Sequence, residues 1–163
     1  MGSLNTLLNS GLALILNFLA LIVLTAALTI FAVRTSRQAF LSFIIALYVG
    51  YALYLVFPFE LVGKTQSSTT ASIVHIALYL ILSLLTYLLL RRIGGASQSH
   101  IHILPVVFIA FLTSGFLLAL GYHAFGIQHI LTLSRSLTQF FAPANYFFYW
   151  FIAPLIALFI FAR

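Results

Sequence analysis

Glu60 is the single acidic side chain in a 163-residue chain that carries seven Lys and Arg, five His and no Cys. With His75, His123 and His129 it makes up the one set of residue types here able to do acid–base or metal chemistry. An imidazole beside a carboxylate can share a proton near neutral pH, and the same donors can hold Zn²⁺ or another divalent ion. Glu60 follows Phe57-Pro58-Phe59, His75 comes after a short connection, His123 ends an apolar run and His129 begins the next segment. Their convergence therefore requires all four segments to meet on one side of a membrane. No short metal-ligand spacing accompanies them, so a structural Glu60–His75 or Glu60–Lys64 pair is the expectation. No metal or other cofactor is expected; a metal or redox group on these four residues is the alternative reading.

Other chemistry is excluded by residue arithmetic. One Glu and one Lys cannot assemble paired-carboxylate hydrolysis, a two-metal centre or a Walker-type nucleotide site. The absence of Cys removes disulfides, thiolate metal sites and thiol nucleophiles. Leu112-Thr113-Ser114-Gly115 resembles part of the Gly-x-Ser-Gly nucleophile of rhomboid proteases. Its leading Gly is missing, so Ser114-Gly115 reads as a close-packing step between helices.

The remaining polar residues fall inside apolar runs. His75, Tyr79, Ser83 and Thr86 recur at i, i+4, i+8 and i+11, one stripe on one helix. Such a seam bonds to neighbouring helices, or alternatively lines a path or ligand cavity. Tyr48, Tyr51 and Tyr54 are spaced three apart, with Gly50 permitting close helix approach, and read as aromatic packing. Asn17, Thr25 and Thr29 read as interhelical hydrogen-bonding groups, while His100 and His102 suit a loop facing headgroups.

The elements carrying these residues follow from composition. Hydrophobic residues make up 64% and charged residues 5%, too little charge to keep a water-exposed surface dispersed. About 20 apolar residues cross a bilayer as a helix. Five runs qualify: 11–33, 39–59, 71–90, 101–120 and 145–162. They are too long for barrel strands, and backbone groups in lipid must bond within each segment, so an all-α polytopic membrane bundle in a single domain is expected. Between the last two runs, residues 126–141 place Ile127, Ile130, Leu131, Leu133, Leu137, Phe140 and Phe141 mostly on one face. An amphipathic helix in the outer interface is the reading, a re-entrant segment its rival.

Orientation comes from basic residues in short loops. Arg34, Arg37, Arg91, Arg92 and Arg163 fall on one side, Lys64 and Arg135 on the other. The first set is assigned to the cytoplasm, with the N-terminus outside and a bacterial cytoplasmic membrane as the preferred location. Met1–Ser10 lacks the basic region of a secretory signal, so the first run reads as a retained span; Met1-Gly2-Ser3-Leu4-Asn5-Thr6 also fits a myristoylation pattern. The net charge of +6 is dispersed in ones and twos, which points to anionic lipid headgroups and not to nucleic acid.

The order of a span, a basic turn, a span ending near Pro58, a span ending in Leu90-Arg91-Arg92 and a further span resembles the colicin V production protein family over roughly Val33 to Leu120. Tyr48-Val49-Gly50-Tyr51 departs from the Tyr-Val-Gly-Ala step of the small five-span subunit of respiratory complex I, which sets that family aside. The functional expectation is a non-enzymatic subunit or scaffold that docks on other membrane proteins or on copies of itself within the bilayer. Transport of a small solute along the seam of the third span is the second reading, and a cofactor-binding membrane enzyme the third.

Overall fold

The computed structural model describes residues 18–59, 68–93, 103–127, 135–141 and 143–161, which are helical with no strand among them. In chain order the helices are α1 (Leu19–Arg34), α2 (Arg37–Val56), α3 (Ser68–Ile93), α4 (Ile103–Ala124), α5 (Arg135–Phe141) and α6 (Ala144–Phe161). Three stretches are long and apolar enough to cross a membrane: Gln38–Val56, Thr69–Ile93 and Ile103–Ala124. Leu19–Arg34 and Asn145–Ile160 are shorter apolar helices.

Local chemistry sets the ends. The α1–α2 break is two residues long because Thr35 and Ser36 leave helical geometry, and the Ser36 hydroxyl accepts from the Ala39 N–H at 3.2 Å, capping α2. At the far end of α2, Pro58 forces Phe57 into extended backbone (φ −67°, ψ 130°), so the helix stops at Val56 and not at Phe59 as the apolar run suggested. Helix α3 begins at Ser68, three residues before the expected start, and runs 26 residues. Helix α4 continues past Leu120 to Ala124. Gly126 then takes a positive φ of 58°, accessible at little cost only without a side chain, which turns the chain after α4.

The described helix of the fourth connection is the seven-residue α5. Leu137 and Phe141, four residues apart, face inward at 2% and 1% exposure, but Phe140, which the sequence grouped with them, faces outward, because adjacent residues on a helix point about 100° apart. That one-sided burial docks α5 on the bundle, helped by a 3.1 Å hydrogen bond between the Tyr122 and Thr138 hydroxyls. Residues 1–17 and 128–134, where the first run begins and the amphipathic stretch continues, lie outside the described residues.

Helix α4 is the centre of the packing, with α1 and α6 against it, while α2 pairs closely with α3. The two groups are joined by large side chains more than by close backbones. One cluster unites Leu28, Phe40, Ile44, Ile109, Ala110 and Ala157. A second, towards the other ends of α1 and α4, holds Leu21, Leu118, Ala119, Tyr122, Leu137 and Phe141. The third fills the α2–α3–α4 junction with Leu47, Tyr54, Tyr79, Phe116, Leu120 and Phe125.

Outside this core the surface stays apolar. On α3 alone Leu80, Ile81, Leu84, Leu85, Leu88 and Leu89 are exposed. An apolar exterior around an interior that holds Tyr54, Tyr79, Ser83, Thr86, Thr113 and Ser114 fits hydrocarbon as solvent, and the chain is a helical membrane protein.

Candidate functional site

The polar groups of the bundle gather where α2, α3, α4 and α6 meet. On α2 the three-residue spacing turns successive tyrosines through the junction. Tyr48 stacks on Phe116 with ring centroids 4.6 Å apart and planes 10° from parallel, and its hydroxyl donates to the Phe151 carbonyl of α6 at 2.6 Å. Phe151 lies three residues before Pro154, which has no N–H to continue the helical ladder. Tyr51 packs edge-on against Phe151 at 6.0 Å.

Tyr54, buried at 6% exposure, meets His75 of α3: its hydroxyl and His75 Nδ1 are 2.9 Å apart, a bond whose direction follows the imidazole tautomer. Phe59 and Phe125 each set a ring edge-on to Tyr54, at 5.2 and 5.1 Å, and Phe59 also covers His75 at 5.0 Å. The pair is thus an imidazole and a phenol in hydrogen-bond contact inside an aromatic wall.

The stripe on α3 continues inward from this pair. Tyr79, Ser83 and Thr86 are all buried, while His75 is half-buried. The Tyr79 hydroxyl donates to the Leu47 carbonyl of α2 at 3.3 Å. Thr86 returns its proton to the Leu82 carbonyl of its own helix at 2.8 Å. Ser83 lies against Gly50, and its Oγ is buried with no hydrogen-bond partner. Ser72, one turn before His75, donates to the Gly126 carbonyl at 3.4 Å, tying the start of α3 to the end of α4. His75, Tyr79 and Ser83 therefore line the α2–α3 interface, where two tyrosine hydroxyls cross between helices.

Of the residues considered for metal or acid–base chemistry, His75 has Tyr54 and Phe59 as neighbours, whereas His123 is exposed near the end of α4 with its ring 4.8 Å from Phe147 of α6. No three metal-ligating side chains come together among the described residues. Glu60, Lys64, His100, His102, His129 and Arg163 lie outside those residues, as do the side chains of Arg37 and Arg135.

Ser114 is fully buried and donates to the Ala110 carbonyl of its own helix at 2.8 Å. Gly115 next to it receives the Trp150 ring: a Cβ there would meet the indole, with Cη2 at 3.0 Å. The tyrosine spacing had suggested packing, but their partners at Phe116, Phe125 and Phe151 lie on distant segments and carry no signal in local sequence.

Thr29 donates to the Thr25 carbonyl at 2.8 Å within α1. Thr25 Oγ1, buried and without a partner, borders two apolar grooves of about 450 and about 620 Å³ between α1 and α4.

No protein family model matches the chain, and neither the search of characterised proteins nor that of solved structures returns a significant match. The likeness to the colicin V production proteins accordingly rests on element order and charge placement alone.

Proposed function

We propose that this chain is a non-enzymatic subunit or scaffold of a membrane-protein complex, built as five spans with one interfacial helix. The observation that carries the reading is how its polar groups are used. Tyr48, Tyr54, Tyr79 and Tyr122 make hydrogen bonds within the chain, and Ser83 is pressed against Gly50. Meanwhile Leu85, Leu88, Leu89, Phe148, Tyr149 and Phe159 are exposed on the outer faces of α3 and α6. Helix faces are then the available binding surface, and van der Waals packing against another membrane helix is the interaction they can make. The tight Gly50–Ser83 contact favours this over a conduit along α3.

The topology is part of the proposal. Arg34 closes α1, and Arg91 and Arg92 lie in the last turn of α3. Phe31 and Tyr87, 6.3 Å apart, bring those two helix ends together and support a shared, arginine-bearing cytoplasmic side with the N-terminus outside. Residues 19–34 rise about 24 Å, so further residues before Leu19 are needed for α1 to complete a crossing of about 30 Å.

The test is isolation from the native membrane in a mild detergent, with photo-crosslinkers at Leu85 and Tyr149. Stoichiometric capture of one defined membrane protein, or of a second copy of this chain, is the expected result. A monodisperse monomer that captures only lipid at both positions would reject the reading.

A further inference from the structure

The outer face of α1 carries Ile22, Ala26, Ile30 and Arg34 at intervals of four, one stripe ending in a guanidinium. All four are exposed, and the first three line the groove of about 450 Å³ that α1 forms with Val107 and Phe111 of α4. A second groove of about 620 Å³ continues along α4 past Phe108, Pro105 and Leu104, sharing Val107 and Phe111 with the first. Because α1 runs antiparallel to α4, Leu104 and Pro105 lie towards the Arg34 end. The groove walls are almost wholly hydrocarbon, and the charge sits at one mouth.

From Leu21 to Ile30 the first groove follows ten residues of helix, a rise of about 14 Å. One leaflet of a bilayer core measures about 15 Å, half of the 30 Å total. The groove is thus about as long as one leaflet is deep, with Arg34 one turn beyond it at headgroup level. A second guanidinium lies at the same end of the bundle: Phe31 packs on Tyr87, and Arg91 follows Tyr87 by one helical turn. Arg34, Arg91 and Arg92 are exposed, and the described residues contain no side-chain carboxylate to neutralise them. Guanidinium pairs well with phosphate because its planar fork offers two parallel N–H donors.

We propose that this face binds one anionic phospholipid, its phosphate held by Arg34 with Arg91 beside it and one acyl chain lying in the α1–α4 groove. The proposal is independent of the scaffold reading, since a monomer can hold the lipid equally well. It commits to the leaflet on the arginine-bearing side.

The experiment uses the full chain, delipidated in a maltoside detergent and titrated with dioleoyl phosphatidylglycerol, dioleoyl phosphatidylcholine or inorganic phosphate, with bound lipid counted by native mass spectrometry. Phosphatidylglycerol is expected to bind at one per chain, at least about fivefold tighter than phosphatidylcholine, the margin one arginine near an anionic headgroup supplies. Arg34→Gln should erase about that factor, Lys64→Gln should not, and Ala26→Phe should weaken binding by filling the groove. A benzophenone at Ile30 in an otherwise unchanged chain should capture lipid in native membranes, which reads out the site even if Ala26→Phe misfolds. Equal binding of the two lipids, indifference to Arg34→Gln, full competition by inorganic phosphate, or capture of protein at Ile30 would each overturn the proposal.

Discussion

Gly50 and Ser83 hold α2 and α3 at a separation that leaves no space for one methyl group between them. A Cβ at residue 50 would lie 2.8 Å from Ser83 Cα and closer still to the Ser83 hydroxyl. Gly50→Ala should therefore destabilise the bundle by about 1–3 kcal/mol, the range for forcing atoms into a packed interface. Ser83→Ala removes a hydroxyl that has no partner and should be close to neutral. It should also fail to rescue Gly50→Ala, because backbone Cα is among the atoms in the way. Reversible unfolding in mixed micelles measures all three variants; a harmless Gly50→Ala would contradict the close approach.

Gly115 and Trp150 form the analogous contact between α4 and α6, with a different consequence. Here the obstacle to a Cβ is a side-chain ring and not backbone. Gly115→Ala should again cost about 1–3 kcal/mol, but Trp150→Leu in the same chain should recover part of the loss. A double-mutant cycle is expected to give a coupling of about 0.5–3 kcal/mol, whereas additive effects would show that the ring does not depend on Gly115.

The Tyr48 hydroxyl donates to the Phe151 carbonyl of α6 at 2.6 Å. Pro154 withholds an N–H from the carbonyl four residues before it, that of Trp150, so the Phe151 carbonyl is not the one the proline opens. Tyr48→Phe should cost about 0.6 kcal/mol, typical of interhelical hydrogen bonds in lipid. In a Pro154→Ala background the cost should stay about the same, because the substitution returns a donor to Trp150 and not to Phe151. A cost that disappears with the proline would tie the phenol to it.

Tyr54→Phe leaves His75 Nδ1 without the phenol it contacts at 2.9 Å. Nitrogen NMR of labelled His75 should report a changed Nδ1 environment, with a stability loss of about 0.6 kcal/mol. His123, whose ring packs on Phe147, should keep its signal and serves as the internal reference.

The chain has no cysteine, so single thiols report cleanly on its surroundings. Leu84 is 57% exposed on the bundle surface, yet a thiol there should resist a water-soluble maleimide in intact membranes and react after solubilisation in dodecyl sulfate. A thiol replacing Ser36, at the α1–α2 break, should react in membranes opened on the arginine-bearing side. Rapid labelling of Leu84→Cys in intact membranes would remove hydrocarbon as the solvent of α3.

Composition and local chemistry made much of this architecture legible in advance. Apolar runs with one acid among them demand a helical bundle in lipid, and the break at Thr35-Ser36 is written in residues that shape their own backbone; the stop before Pro58 was masked by Phe57 and Phe59, which are as apolar as the span itself. The stripe of His75, Tyr79, Ser83 and Thr86 was visible as a period.

Its partners were not. The described partner of His75 is Tyr54, because α3 begins at Ser68 and α2 ends at Val56, which puts a residue seven positions into α3 level with the last turn of α2. That α4 is the most buried of the three long helices and α3 the least was equally hidden. In hydrocarbon, a face that meets lipid and a face that meets a neighbouring helix have the same composition, so side-chain chemistry along one segment does not choose between them. Only the meeting of distant surfaces does: Gly50 on Ser83, Gly115 on Trp150, and Tyr48 on a carbonyl a hundred residues away.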